Sequence, residues 1–476
     1  MDDESIMAGV AAAASSLQRM MHTFDSDGEQ DDQEPGGLLG DLLVEEEEEE
    51  EREKQIRRSY PRPEYWRSIW GRWVLKLREL NAAEGGLDPE CREAVQFAGT
   101  FRIPFVLFES IMQTVASIFP SSTRDVAGRR DVVGRDCPPV EDKVLGTLKV
   151  LASGCCFQDL ASSSLMSRTT VKTSFHHFCD KFSEGLWDTC VKLPRGDELE
   201  KVEEIYRMCG YPGATGSTDC IQFHWPGCLF SEKNTDTGKE GYTSLVVECT
   251  CDHSGCIIAA TKTYPGAEND KTVIARDKSI WRIRDEEPWK SYKLKLHNAD
   301  GTETEYTGAW IIVDGGYPKI PILIPPIKTH TTVEEHDCSR RLESMRKDIE
   351  CCFGRVKGRW RLFGGNILFS TRQKVDNAWF TACILHNMLH SFNRLDEMEE
   401  DADWVGPAGR LGEATAVAAA MDVDEESETR LLASKSFAGN SSRTSRARRR
   451  RRRFCGLRGR RFKIFLVHVV GKVWGG

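Results

Sequence analysis

The amino-acid sequence predicts an α/β domain with a mixed sheet, preceded by a helical, helix-turn-helix-like region and flanked by charged tails. Three observations carry this reading. Apolar residues recur at helical spacing between Trp66 and Phe182. From residue 209 the pattern changes to short apolar runs rich in Val, Ile and Thr, bounded by Gly, Pro and Asp. Opposite charge is segregated to the two ends of the chain.

The tails are defined by composition. Residues 1–54 hold 18 Asp and Glu against 3 Lys and Arg, whereas residues 443–476 hold 13 Lys and Arg and no acid. Of the net charge of −9, the intervening 388 residues carry −7, which argues against a broad DNA-coating surface and leaves a narrow groove open. The seven consecutive glutamates Glu45 to Glu51 repel one another and bury no apolar area, so residues 1–58 are expected to be disordered. Such a segment is either a solubilising tail or an acidic contact for a basic partner, the Arg448 to Arg453 run included. Hydrophobic residues at 39% still provide a core for the rest, which excludes a fully disordered or collagen-like chain. No apolar run reaches the ~18 residues of a membrane span, so no membrane association is expected. The acidic start lacks the basic first region of a secretory signal, and the 17 cysteines, with no CxxC pair, are expected to be reduced thiols. Cys249, Cys251 and Cys256 are the densest group, but they sit in strand-like sequence without zinc-ligand spacing.

Along the chain, Trp66, Ile69, Trp70, Trp73 and Leu77 follow helical spacing and predict one apolar face. Asp88-Pro89 predicts a second helix start, and Pro104 a third that runs through Phe105, Phe108, Ile111 and Val115. Residues 141–182 read as a helix-turn-helix candidate: Val144 to Leu151, Phe157 to Ser163, a turn at Ser164 to Met166, and a third helix capped by Ser167. The core face of that third helix is Val171, Phe175, Phe178 and Phe182, and its outer face offers Arg168, Lys172 and His176. Donors near the N-terminus of a helix suit DNA contact, and the same pattern suits plain three-helix packing. Strands are predicted at Thr215 to Phe223, Thr243 to Cys251, Cys256 to Thr263 and Trp310 to Val313, with a hairpin turn at Asp252 to Gly255. A helix is predicted from Asp270 to Ile283 and a long one from Ser339 to Arg359.

Three acids stand out by placement: Asp219 in the first strand, Asp314 just past the fourth, and Glu350 on the long helix, with 94 and 35 residues between them. An acid beside apolar strand residues needs a partner or a cation. Magnesium takes oxygen ligands, and one or two carboxylates with phosphate and water suffice. Two such ions roughly 3.5–4 Å apart activate a water and stabilise a leaving oxygen in phosphodiester cleavage. Arg346 and Lys357 share the helical face of Glu350 and are candidate phosphate contacts. The alternative is that these are ordinary surface or turn acids among 74.

The words around these acids resemble a family. Gly216-Ser217-Thr218-Asp219-Cys220, Gly238-Lys239-Glu240-Gly241, Tyr264 to Lys271, Asp314-Gly315-Gly316-Tyr317-Pro318, Phe353-Gly354, Lys357-Gly358-Arg359 and Leu385-His386-Asn387-Met388 are similar in order and spacing to the PIF/Harbinger transposases, over roughly 209–392. The resemblance implies a ribonuclease-H-like DDE nuclease domain in which Asp219, Asp314 and Glu350 are the catalytic acids and hold Mg2+ or Mn2+, two ions in all. Asp270 falls on a further acid of the pattern and either joins the metal shell or caps the following helix. Many animal members have Asp-Gly-Thr-His at the first aspartate; Asp219-Cys220 here is similar to another branch, and the acid is retained. His224 and His386 read as structural. Arg346, Lys357, Arg359, Arg168 and Lys172 are the candidate nucleic-acid contacts.

Family members excise an element at its terminal inverted repeats and insert it at a short target, often with a separate Myb-like DNA-binding protein; an oligomer is compatible with that work. The Arg run suggests a nuclear localisation signal or a phosphate contact. The expected divisions are an acidic tail 1–58, a helical region 59–136, a helix-turn-helix-like region 137–208, the DDE endonuclease domain 209–395 and an Arg-rich tail 396–476. The alternative function is a domesticated DNA-binding or scaffold protein that no longer transposes.

Overall fold

The computed structural model describes residues 64–118 except 84, and 137–393 except 239, 240 and 298–301. The acidic run, the segment 119–136 and the basic tail lie outside the described residues. Twelve helices and eight strands are assigned among the described residues.

The helical part begins where Ser68 caps α1 (Ile69–Ala82), its Oγ accepting from the Gly71 N–H at 2.8 Å. The predicted apolar face is corrected here. Trp66 belongs to a 3₁₀ turn, Tyr65–Arg67, before the cap, so the helical phase starts later. Trp70, Val74 and Leu77 are buried, while Trp66 and Ile69 are exposed, Trp66 lying beneath the Arg67 guanidinium. Helix α2 (Arg92–Phe101) starts later than Asp88-Pro89 suggested, and α3 spans Phe105–Ile118. Then follow α4 (Val140–Ser153), a 3₁₀ turn and α5 (Ala161–Ser164), a left-handed Leu165 at φ 58°, and α6 (Arg168–Cys190) capped by Ser167. His176 is not on an outer face: it packs among Phe157, Phe175 and Phe369. Burial, then the charges of Lys374 and Lys172, push its pKa down to about 4, so it is neutral. Helix α7 (Asp197–Met208) leads into the sheet.

The main sheet is mixed. Strand β1 (Ala214–His224) pairs antiparallel with β2 (Ser244–Cys251), from Ser217 opposite Cys251 to His224 opposite Ser244. The short helix α8 (Lys233–Asp236) lies in the connection between them. β2 pairs with β3 (Ile257–Ala260) and with β4 (Tyr264–Pro265). The β2–β3 turn falls where Asp252 to Gly255 predicted it: Asp252 Oδ1 accepts from the N–H of Ser254 and of Cys256, and Gly255 takes φ 84°. The predicted 270–283 helix is two, α9 (Asp270–Ile274) and α10 (Lys278–Asp285), because the Asp277 side chain accepts from Ser279 and Ile280 N–H and restarts the helix. A separate hairpin follows, β5 (Lys293–His297) with β6 (Glu303–Thr307). β7 (Trp310–Ile312) then runs parallel to β1, and β8 (Leu323–Ile324) parallel to β7, giving the order β3-β2-β1-β7-β8. This α/β arrangement is compatible with a ribonuclease-H-like domain.

Helix α11 (Val333–Arg359) crosses β1, and α12 (Arg372–Phe392) packs on α6. One sheet face joins the helical region in a continuous core that includes Trp70, Phe101, Phe175, Phe223, Trp225, Trp360 and Trp379. Alternation along β7 sends Trp310 and Ile312 into one cluster with Leu342 and Met345, and Ile311 into another with Ile280, Ile283 and Tyr317. Among the described residues no helix is long and apolar enough to cross a membrane.

Asn387 closes the free edge of β3. Its Oδ1 accepts from Ile257 N–H at 2.9 Å, and its Nδ2 donates to Ile257 C=O at 2.7 Å and Cys190 C=O at 2.8 Å. Asn387→Leu leaves these buried groups unpaired and is expected to lower stability by about 2–4 kcal/mol, read as a lower urea midpoint at unchanged slope.

Candidate active site

Adjacent parallel strands bring two carboxylates side by side, and a third joins them from α9. Asp219 lies within β1, and Asp314 begins the turn just after β7, the strand beside β1. Asp270 opens α9 after the β4 segment, which pairs with β2 on the other side of β1. Asp219 Oδ1 accepts from the Cys220 N–H at 2.8 Å, and Asp314 Oδ1 from the Gly316 N–H at 2.6 Å. A Cβ at Gly316 would stand 2.9 Å from Asp314 Oδ1 and 3.4 Å from Asp270 Oδ2, so a side chain there would intrude between the two carboxylates. That is the physical reason for glycine at this place in Asp314-Gly315-Gly316-Tyr317.

The electrostatics reflect this crowding. Burial pushes the Asp219 pKa up to about 6; the Cys220 N–H and the Arg346 guanidinium oppose that shift, and the Asp314 and Asp270 charges add to it. Glu350 joins through Arg346. The guanidinium lies 2.9 Å from Asp219 Oδ2, 2.7 Å from Glu350 Oε1 and 3.0 Å from Glu343 Oε2. The sequence suggested a phosphate contact for Arg346; the structure makes it the counter-ion of three carboxylates, with only 14% of its side chain exposed.

The other basic residues are distributed. Lys357 donates from Nζ to Gln222 C=O at 2.9 Å and lies over the Phe223 ring, and burial lowers its pKa. Arg359 is half-buried, and burial, then the charges of Arg355 and Arg102, lower its pKa. No ion pair reaches Arg359 among the described residues. Arg168 and Lys172 are half-buried on the first turns of α6, a different element from those that carry the acids. His224 accepts a structural role through Asn366 Oδ1 at 2.7 Å, and buried His386 donates from Nε2 to Gly255 C=O at 2.9 Å.

The donor set of Asp219, Asp270, Asp314 and Glu350 fits a hard divalent cation: all are carboxylates, and glycine keeps side chains out of the space between two of them. Arg346 stands between Asp219 and Glu350. Among the described residues the compact ligand-type cluster, with atoms within 4.8 Å of one another, is instead Cys228, Glu232 and Asp236. There Arg372 lies 2.9 Å from Asp236 Oδ2 and 3.6 Å from Glu232, so one positive charge offsets one of the two carboxylates. The polar groups behind the acids, Cys220 with Tyr317, Glu248 and Asp277, were not among the residues expected at the site. An acid inside the apolar run Leu245-Val246-Val247-Glu248-Cys249 was the available signal.

Residues 188–397 match the family model of plant transposon proteins. A "Protein ALP1-like" of Arabidopsis thaliana is 23% identical over 308 residues, 64% of this chain and 72% of that protein. A "Putative nuclease HARBI1" of Mus musculus is 23% identical over 188 residues, 39% of this chain and 48% of that protein. No solved structure matches. Residues 188–397 are thus similar to plant transposon proteins, and both relatives support, at low identity, a likeness to the Harbinger-derived, transposase-like nucleases.

Proposed function

We propose that the chain is a divalent-metal-dependent DNA endonuclease and strand-transfer enzyme of the ribonuclease-H-like DDE type. The observation that carries this reading is the gathering of Asp219, Asp270 and Asp314 around β1, with Glu350 tied to Asp219 by one guanidinium. Asp219, Asp314 and Glu350, joined by Asp270, would hold Mg2+ or Mn2+. When bound, the ions supply Lewis-acid stabilisation of the attacking and departing oxygens of an in-line displacement. In cleavage a water oxygen forms a bond to phosphorus and the bond to the DNA 3′ oxygen breaks, leaving a 3′ hydroxyl. In joining, the oxygen of that hydroxyl would form a bond to a target phosphorus as the bond to the target strand's own 3′ oxygen breaks, freeing a target 3′ hydroxyl.

The chain's own residues orient this chemistry. The Cys220 and Gly316 amides fix one oxygen each of Asp219 and Asp314. Arg346 pairs with both Asp219 and Glu350 and aligns them. Beyond Glu350, the Cβ positions of Gly354 and Gly358 meet open space, so a DNA backbone can approach α11 closely, with Lys357 beside it. The partner is DNA, at element ends and target. The domain limits given above, a Myb-like helper and a nuclear location through the Arg run complete the reading.

The test is cleavage of terminal-repeat DNA with Mn2+ by the full chain, alone and with a Myb-like partner. Cutting by the native protein, reduced about a hundredfold or more by Asp314→Asn, is expected. No cutting by a folded native protein with the partner present would contradict the reading.

A pH effect follows from Asp219. Its folded-state pKa of about 6 lies above the ordinary 3.8, so ionising it opposes folding. The cost is absent below the ordinary value and fully present above the folded one. In metal-free buffer at pH 8, Asp219→Asn is therefore expected to stabilise the protein by up to about 3 kcal/mol, less the lost Arg346 pairing, and the gain should vanish below about pH 4. Thermal melts across this range check it.

A further inference from the structure

Glu248 is fully buried in the middle of β2, the strand next to Asp219. Its cross-strand partner is Cys220, the residue after Asp219. Neither carboxyl oxygen has a partner in hydrogen-bonding geometry, and no ion pair reaches it among the described residues. A buried carboxylate without a cation or donors is strongly disfavoured, so the group is a neutral acid that must give its proton to an acceptor. The side chains that act on it come from three directions. Asp277 reaches it from the cap of α10, Tyr317 from the turn after Asp314, and Asp270 acts from the start of α9. On β2 itself its backbone N–H donates to Thr261 Oγ1 at 3.0 Å.

One of these neighbours has a matching free atom, and another is joined to the cross-strand partner of Glu248. Asp277 uses Oδ1 to accept from Ser279 and Ile280 N–H, and its Oδ2 is buried and unpartnered. A protonated Glu248 can donate to it. The Tyr317 hydroxyl lies 3.5 Å from Cys220 Sγ, beside Glu248, and the Tyr317 N–H closes the turn on Asp314 C=O at 3.4 Å. Glu248 thus lies, through its cross-strand partner Cys220 and the free Asp277 oxygen, between both segments that deliver the outer carboxylates. One is the turn Asp314–Tyr317; the other is the stretch from Asp270 to the Asp277 cap.

We propose that Glu248 is a positioning residue, a neutral buried acid that holds the Asp314 turn through Tyr317 and the Asp270 segment through Asp277. Burial, then the charge of Asp277, raises its pKa well above the carboxylate range, in keeping with that state. The role it has for catalysis rests on the reading of Asp314 and Asp270 as metal ligands; the positioning itself does not need a metal.

The test is amide hydrogen exchange of the metal-free full chain at residues 270–277 and 314–317, with Mn2+ affinity measured in parallel by electron paramagnetic resonance. Glu248→Gln keeps the shape, a donor and an acceptor, and is expected to leave exchange within about twofold of native. Glu248→Leu is expected to speed exchange in both segments at least about tenfold. Tyr317→Phe, which leaves the packing of the ring, should do so at 314–317 alone. Equal effects of Gln and Leu at Glu248, or no effect of Tyr317→Phe, would overturn the proposal. If Glu248→Leu does not fold, the Gln and Phe variants still decide it. A native protein that takes up no Mn2+ would count against the metal-site reading, while the exchange pattern would still judge the role of Glu248.

Discussion

Like charge held in a small space is the constraint on which the rest of this structure depends. Asp219, Asp270 and Asp314 crowd around one strand, and burial makes their repulsion more expensive than it would be in water. A fold that only had to be stable would not retain this arrangement. Much of the surrounding architecture serves to hold it. β7 runs parallel to β1 so that Asp314 arrives beside Asp219, and α11 crosses β1 so that Arg346 bridges Asp219 and Glu350. Local destabilisation concentrated in one polar corner of an otherwise apolar core is the pattern expected of a functional site.

The support behind that corner is polar as well. Cys220, Tyr317, Glu248 and Asp277 form a second layer under the carboxylates, and they connect the β1–β2 hairpin to the two segments that carry Asp314 and Asp270. A different layer of polar contacts secures the opposite end of the domain. Asn387 acts as a missing strand for β3, and His386 with Arg355 holds the β2–β3 turn, where the Arg355 guanidinium occupies the space a side chain at position 255 would need. Motif residues that look alike in sequence therefore do different work. Asp314 and Gly316 shape the site, whereas His386 and Asn387 hold the scaffold.

Much of the fold was legible because its signals are local. The apolar runs of β1, β2 and β7 and the Asp252 to Gly255 turn appear where alternation and turn chemistry put them. The misses have physical causes. Helix α12 is buried on nearly every side, Val375 to Leu389 included, so it lacks the one-sided period that marks a surface helix. The β5–β6 hairpin alternates Leu294 and Leu296 with exposed lysines, but its partner strand carries no apolar run. The split between α9 and α10 depends on one side chain, Asp277, choosing backbone amides over solvent. At the site, the acids were legible by family words and by position beside strands. The duty of Arg346 was not, since helical spacing shows that it shares a face with Glu350 but not that Asp219 lies across from it.

We assign the divalent cation to this acid cluster rather than to the Cys228 group, where Arg372 already occupies Asp236 and Glu232. Crystals of the native protein soaked with Mn2+ test it through the anomalous signal of the metal. The expected result is a peak bounded by the Asp219 and Asp314 carboxylates, with the Arg346 guanidinium withdrawn from Asp219. A map with no peak there and Arg346 still bridging Asp219 and Glu350, or with its peak at Cys228, Glu232 and Asp236, would contradict the account.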